Sequence, residues 1–81
     1  MSERRRLEEL TAFVNLCFAM LEGSSVKEVC RLTGLSSATV YRLWNNQFSL
    51  DVRFRTVQAL GHAAGLELTW KGRKAKVRLI A

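Results

Sequence analysis

The sequence predicts a mainly α-helical domain of four to five helices that ends in a β-hairpin or a single β-strand. Two observations support this fold class. Up to about residue 65 the apolar residues recur every three or four positions, as on one face of a helix, and from residue 66 onward they alternate with polar residues, as along a strand. Serine caps and glycines separate the helical segments. The 81 residues are enough for one hydrophobic core.

The first helix is predicted between Ser2, a candidate N-cap, and Gly23, where the helical pattern stops. Its main apolar face carries Leu7, Leu10, Val14, Cys17, Phe18 and Leu21. A second apolar stripe beside this face consists of Phe13, Leu16 and Met20. Because a helix that is apolar on two sides needs two packing partners, the second stripe is a candidate contact for a second subunit.

Two short helices are predicted next, on either side of Gly34. Ser25 can cap the first of them, with Glu28 three residues later as in a capping box, and Ser36 or Ser37 can cap the second. The residues expected to face inward are Val26, Val29, Cys30, Leu35, Val40 and Leu43. Gly34 supplies the residue that adopts positive φ without strain in the turn between the two helices.

A fourth helix is predicted over roughly Val52 to Ala64, with Phe54, Val57 and Leu60 buried. The polar stretch at residues 45–47 connects it to the third helix, and its asparagines tolerate the left-handed conformation that such a loop needs.

The last stretch changes its period. Leu66, Leu68 and Trp70 alternate with polar residues, and so do Val77 and Leu79. A turn is predicted between the two runs, at Lys71–Ala75, because this basic segment contains a glycine.

The charge of the chain favours a polyanionic partner. Lys and Arg number 13 against 7 Asp and Glu, which gives a net charge of +6. Residues 1–22 carry a net −1, residues 23–66 a net +3 and residues 67–81 a net +4. Nucleic acid is the first candidate and an anionic membrane surface the second. No run of 18 apolar residues exists, so no membrane-spanning segment is predicted.

The scarcity of reactive side chains argues against an enzyme. Two Cys cannot build a disulfide-rich secreted scaffold, and one His with seven scattered acids offers little for acid–base or metal chemistry. We therefore expect no catalytic residue, no metal and no cofactor, and a location in the cytoplasm.

The most informative segment runs from Val26 to Asn45. It fits two helices that cross at a tight turn, with the small residue Cys30 at the contact and Gly34 in the turn. This pattern resembles the helix-turn-helix of the lambda-repressor and Cro-like (XRE-type) family of phage and bacterial regulators. The resemblance covers about residues 24–68, including Phe48-Ser-Leu and Thr56-Val-Gln-Ala-Leu-Gly, and the ending Leu60-Gly-His-Ala-Ala-Gly-Leu-Glu-Leu is similar to small phage regulators and antitoxins.

The sequence departs from that family's pattern at several positions. Thr33 stands where an aliphatic residue is usual. Ser37 and Ala38 replace the glutamines that often open the recognition helix. Trp44 and Asn46 stand where a Glu and a Gly are common.

The resemblance implies a helical DNA-binding domain over residues 1–65 and a basic β-hairpin, a possible dimerisation element, over residues 66–81. The helix-turn-helix then spans residues 26–45, with a recognition helix at about 36–45 in the major groove. Base contacts are expected from Ser37, Ala38, Tyr41 and Arg42, with Arg42 as the candidate for bidentate reading of guanine. Phosphate contacts are expected from Ser25, Lys27, Ser36, Thr39, Asn45, Asn46, Arg53 and Arg55.

The simplest function is that of a homodimeric transcriptional repressor that reads a short palindromic operator in double-stranded DNA. The two candidate dimer surfaces consist of Phe13, Leu16 and Met20 on the first helix and of Leu68, Trp70, Val77 and Leu79 on the hairpin. The hairpin is favoured, because a lone hairpin is marginal without pairing. One alternative is an antitoxin that represses its own operon and binds a toxin protein. Another is an architectural or recombination-directionality factor. All three would act near the nucleoid of a prokaryotic cell or a phage-infected host.

Overall fold

Four helices followed by two antiparallel strands make up the computed structural model, which describes residues 3–49, 52–71 and 74–80. The elements are α1 (Glu3–Met20), α2 (Val26–Thr33), α3 (Ser37–Trp44), α4 (Phe54–Ala63), β1 (Leu66–Lys71) and β2 (Lys74–Leu79). The predicted fold class, mainly helical with a C-terminal hairpin, is confirmed. None of the described helices is both long enough and apolar enough to cross a membrane.

Serine side chains begin both short helices. Ser25 Oγ accepts a hydrogen bond from the Glu28 amide at 3.1 Å, and Ser36 Oγ accepts one from the Thr39 amide at 3.2 Å. Each cap satisfies a backbone N–H that has no partner inside its helix. Ser36 is thus the cap of α3. The fourth helix, predicted at roughly Val52 to Ala64, runs from Phe54 to Ala63.

A glycine in the left-handed conformation forms the turn between α2 and α3. Gly34 has a φ of 76°, and its amide donates to the Cys30 carbonyl at 2.8 Å. Thr33 Oγ1 donates to the Val29 carbonyl at 2.7 Å and accepts from the Leu35 amide at 3.1 Å. The side chain of Thr33 therefore joins the last turn of α2 to the first residue after Gly34, which an aliphatic residue at this position could not do.

An asparagine in the left-handed conformation begins the connection from α3 to α4. Asn46 has a φ of 55°, as expected for this loop. Its amide donates to the Leu43 carbonyl at 3.1 Å, and the Gln47 amide donates to the Arg42 carbonyl at 2.7 Å. These bonds satisfy the last carbonyls of α3 and turn the chain back toward α4.

A single core joins the four helices to β1. Its buried residues are Leu10, Phe13, Val14, Cys17, Phe18, Leu21, Val29, Val40, Leu43, Val57, Leu60, Ala64, Leu66 and Leu68. Leu35 and Cys30 pack against this core and are only partly buried. Burial raises the pKa of the Cys17 thiol to about 12, so this side chain acts as a small apolar residue.

Three expectations about burial are corrected. Phe13 is 2 % exposed and belongs to the core, so the second stripe of α1 reduces to Leu16 and Met20 at the surface. Leu68 is also in the core and is not available to a second chain. Phe54 is 46 % exposed instead of buried, and it lies at the first position of α4.

Of the two strands of the hairpin, only β1 makes extensive contact with α4. Leu66 pairs with Leu79 and Leu68 pairs with Val77. The two residues of β1 are buried and their partners in β2 are exposed, because β1 packs on α4 and β2 lies outside it. The predicted turn at Lys71–Ala75 is too long, since the strands extend to Lys71 and resume at Lys74. The residues between them, 72 and 73, lie outside the described residues.

We expect Gly61→Ala to destabilise the protein. A Cβ at this position would lie 2.8 Å from the Phe13 ring and 3.0 Å from the Leu66 carbonyl oxygen, so α4 has room for glycine only. Overpacking of this kind costs about 1–3 kcal/mol, which exceeds the gain in helix propensity of about 1 kcal/mol. Urea denaturation measures the change. His62→Ala, at an exposed neighbour, should stay within about 0.5 kcal/mol of wild type. Equal stability of Gly61→Ala and wild type would contradict the close packing.

We expect Gly34→Val to lower the free energy of unfolding by about 1 kcal/mol or more, because a Cβ is strained at positive φ. No atom lies within 4 Å of the new Cβ, so strain and not collision causes the loss. Gly34→Asn is the matched control and should lose less, since Asn tolerates this conformation. Thermal denaturation compares the two variants, and identical melting temperatures for both would contradict the role of backbone strain.

Candidate nucleic-acid interface

One exposed face of α3 carries all four residues that were predicted to contact bases. Ser37, Ala38, Tyr41 and Arg42 are exposed. They occupy successive turns of the helix, at a spacing that keeps them on one side. On the opposite side, α3 is anchored by Val40 and Leu43, which are buried. The core therefore determines which side chains of this short helix reach solvent.

The exposed face of α3 separates two surface depressions of different character. Tyr41 borders an apolar groove of about 270 Å³ on the side of α2, where Phe18 and Val26 line it. Arg42 borders a more open and more polar cleft on the side of α4. The exposed surface of α3 is thus aromatic toward α2 and cationic toward α4.

The cleft beside Arg42 has a volume of about 600 Å³ and lies between α3 and the start of α4. Its lining residues are Thr39, Arg42, Leu43, Gln47, Phe48, Ser49, Val52, Arg53 and Thr56. Arg42 and Arg53 come from opposite walls. Gln47 and Thr56 were missed by the sequence analysis. In the sequence, only their polar character on either side of the loop points to a binding role. Because they lie nine residues apart in the chain, the sequence does not show that they line one cleft.

The arginines of this cleft take part in none of the ion pairs among the described side chains. Among the described side chains, Arg5 pairs with Glu9 at 3.7 Å, Arg31 with Glu28, and Arg78 with Glu67 at 3.3 Å. The hydrogen bond from Arg31 lowers the pKa of the Glu28 carboxyl. None of these pairs involves the walls of the cleft.

The two helices that form the cleft contain no acidic residue. Neither α3 nor α4 includes an Asp or Glu, and no described carboxylate pairs with Arg42 or Arg53. Asp51, in the connection between the helices, lies outside the described residues. A cleft whose described lining carries two arginines and no acid, beside an exposed helix face, is chemically suited to an anion such as a phosphate.

The residues predicted to contact phosphates lie at two places. Lys27 is exposed in the first turn of α2, next to the cap residue Ser25. Asn45, at the C-terminal cap of α3, and Asn46 are exposed where the chain leaves that helix. Arg53 and Arg55 are exposed at the start of α4. These two places lie at opposite ends of the helix-turn-helix segment, before and after the exposed face of α3.

The remaining predicted phosphate contacts are hydroxyls that already bond locally. Ser36 Oγ and Thr39 Oγ1 lie 2.9 Å apart, and Ser36 also caps α3. Thr39 borders the cleft. Both residues thus help to form the start of α3, and Thr39 also lies at the edge of the cleft.

An aromatic contact joins the end of α3 to α1. The rings of Trp44 and Phe18 meet edge to face, with centroids 4.8 Å apart and an interplanar angle of 71°. Because Phe18 is buried and Trp44 is exposed on its outer side, this contact extends the anchoring of α3 beyond Val40 and Leu43.

Comparison with known proteins agrees with this geometry. A family model for the Cro/C1-type HTH DNA-binding domain matches residues 21–69. No curated protein and no solved structure matches the chain. The matched segment contains α2, Gly34, α3, the cleft and α4, which are the elements described above. The chain therefore belongs to the Cro/C1-type helix-turn-helix family of DNA-binding domains.

Proposed function

We propose that this protein is a non-catalytic transcriptional repressor that binds a short palindromic operator as a homodimer. The observation that carries the proposal is the exposed face of α3 beside a cleft whose described lining has two arginines and no acid. Membership of a DNA-binding family supports double-stranded DNA as the polyanion. The proposed location is a prokaryotic cell or a phage-infected host, where the protein and the DNA share one compartment.

In this proposal α3 lies in the major groove with its N-terminal end nearest the bases. Ser37 then donates to or accepts from a base edge, and Ala38 contacts a thymine methyl group. Arg42, one turn further along, donates two hydrogen bonds to the O6 and N7 atoms of a guanine. Its guanidinium is suited to this role because no described carboxylate competes for its donors. Tyr41 contacts the sugar-phosphate backbone on the α2 side.

Phosphate contacts on both sides of the groove would hold α3 in register. On one side, Lys27 and the first amides of α2 meet the backbone, with Ser25 beside them. On the other side, Arg53 and Arg55 meet the opposite strand. The other candidate contacts, all near the ends of α3, are Ser36, Thr39, Asn45 and Asn46.

The hairpin is the surface through which we propose that two copies meet. The described sheet has two strands, so the outer edge of β2 has no strand beside it, and Val77 and Leu79 are exposed there. Antiparallel pairing of two β2 strands about Arg78 sets Val77 opposite Leu79 of the partner subunit. Arg78 then faces its own copy, and the repulsion is reduced because each Arg78 is bound to Glu67 at 3.3 Å.

Selection of duplexes from a random library tests the function directly. We expect recovery of a palindrome whose half-sites lie about 10 base pairs apart, centre to centre, as for other dimers that present a helix to successive major grooves. Recovery of non-palindromic sequences, or of no shared sequence, would contradict a homodimeric repressor that reads bases.

Arg42→Ala and Lys27→Ala should weaken DNA binding in different ways. Arg42→Ala should cost about 1–3 kcal/mol at one base position and relax the preference there. Lys27→Ala should weaken binding to all sequences alike and lower the slope of log affinity against log salt by about one. Binding isotherms on the selected and scrambled duplexes measure both effects. Arg31→Ala, which removes an ion-paired charge from the same helix as Lys27, is the control with a smaller expected loss. Equal, sequence-independent losses for Arg42→Ala and Lys27→Ala would contradict the assignment of Arg42.

Leu79→Lys should convert the dimer to a monomer, because it places charges at the proposed contact between two β2 strands. Leu79 is 71 % exposed in a single chain, so its replacement should leave the fold intact. Sedimentation at micromolar concentration gives the mass. Met20→Lys, at the exposed stripe of α1, is the matched control and should remain a dimer. If Met20→Lys becomes a monomer and Leu79→Lys remains a dimer, α1 is the interface.

A further inference from the structure

The cleft between α3 and α4 offers more room than a backbone phosphate needs. Its volume of about 600 Å³ lies in the range of about 300–1,000 Å³ that is usual for sites of small molecules. A phosphate of DNA needs only hydrogen-bond donors, which Arg42 and Arg53 supply. The remaining described lining is apolar or neutral and polar, so it can contact a second part of a bound molecule.

Positive charge enters the cleft from both walls. Arg42 and Arg53 are exposed, and no described carboxylate pairs with either of them. Arg53 is also the N-cap residue of α4, and its side chain makes no capping hydrogen bond, so the helix dipole adds a partial positive charge at the same wall. A phosphate monoester carries a charge of about −1.5 to −2 near pH 7, whereas each phosphate of DNA carries about −1. Two guanidinium groups therefore complement a monoester better than one backbone phosphate.

The apolar part of the lining includes an aromatic ring. Phe48 and Val52 line the cleft and pack against the core, yet both remain partly exposed. A second ring packs favourably against the ring of a phenylalanine. In duplex DNA the flat faces of the bases are covered by stacking, so the operator cannot offer one to Phe48. A small molecule in solution that carries a planar ring can do so.

Neutral polar side chains complete the described lining. Gln47 is exposed and Thr56 is partly exposed, and both border the cleft. An amide and a hydroxyl can each donate and accept hydrogen bonds. They therefore suit the hydroxyl groups of a sugar and the ring nitrogens of a base, which likewise donate and accept.

We propose that this cleft binds a small phosphate monoester that carries a planar ring, the chemical class of the mononucleotides, and that this ligand competes with the operator. The phosphate of the ligand contacts Arg42 and Arg53, and its ring packs on Phe48. The competition rests on the proposed function, because Arg42 cannot donate to a guanine and to the phosphate of the ligand at the same time. The binding of the ligand does not depend on the proposed function. Occupancy of the cleft thus lowers the affinity of the repressor for its operator.

Adenosine monophosphate is the probe that tests binding, and adenosine and inorganic phosphate are its two halves. Each is titrated into the full chain without DNA at constant ionic strength, and amide chemical shifts are followed by NMR. We expect the probe to bind with a Kd below about 1 mM and each half to bind at least about tenfold more weakly. The amides of Gln47, Phe48, Arg53 and Thr56 should shift most, because these residues line the cleft.

Substitutions in the cleft test where the probe binds. Arg53→Gln should raise the Kd of the probe about tenfold, since it removes one of two charge-assisted contacts. Arg55→Gln is the matched control, because Arg55 is also exposed at the start of α4 but does not line the cleft. It should change the Kd of the probe by about twofold or less, since charges outside the cleft are screened. Phe48→Leu removes the ring and should raise the Kd. Thermal denaturation verifies that each variant is folded.

Competition is measured with a fluorescently labelled duplex of the selected sequence, again at constant ionic strength. At a concentration of the probe about ten times its Kd, the apparent Kd of the duplex should rise about tenfold. Adenosine at the same concentration should leave it unchanged. Constant ionic strength is required because affinity for DNA depends on salt.

The failure of this inference and the failure of the proposed function are distinguishable. If the wild-type protein binds the duplex and the probe binds no more tightly than inorganic phosphate, the ligand site is wrong and the repressor stands. The ligand site is also wrong if Arg55→Gln weakens the probe as much as Arg53→Gln does, because the effect is then one of net charge. If the probe binds in the cleft and no duplex binds, the repressor is wrong and the ligand site stands. Binding of the probe without any loss of affinity for the duplex overturns the competition.

Discussion

The structure depends on the burial of Val40 and Leu43, two residues of an eight-residue helix. A helix of that length is not stable alone in water, since isolated helices shorter than about 12–15 residues are marginal. Its existence and its rotation about its own axis both follow from these two core contacts, which the edge-to-face packing of Trp44 on Phe18 extends. Once Val40 is inside, Arg42 must be outside. The presentation of the recognition face is thus a consequence of core packing.

Local backbone geometry then determines how this helix is placed beside its neighbours. Gly34 and Asn46, one on each side of α3, adopt positive φ and end α2 and α3 respectively. Thr33 adds two hydrogen bonds that join α2 to the turn. Thr33 and Asn46 depart from the family's usual residues, and this chain still satisfies the backbone hydrogen bonds at both ends of α3.

The distribution of acids matters as much as that of bases. Surface ion pairs contribute little to stability, about 0–1 kcal/mol each, so their main consequence here is electrostatic. Glu9, Glu28 and Glu67 each form an ion pair with an arginine that lies away from the cleft. The two helices that form the cleft contain no acidic residue. Arg42 and Arg53, on the walls of the cleft, therefore keep donors that no described carboxylate takes up.

The sequence by itself determined the features that depend on neighbours along the chain. Helical period, the serine caps, the left-handed Gly34 and the change to a strand period at residue 66 all follow from interactions within a few residues, and all were predicted. Membership of the helix-turn-helix family was predictable for the same reason, since the motif lies within 20 consecutive residues, 26–45.

Only the tertiary structure decided features that depend on residues far apart in the chain. Two apolar stripes on α1 are equivalent by period, and the approach of Gly61 and Leu66 decided that Phe13 is buried while Leu16 stays exposed. Likewise Val77 has the same alternation as Leu68, but α4 covers one strand of the hairpin and not the other. Periodicity shows which side of an element is apolar. Which of these sides is covered depends on the arrangement of the other elements in space.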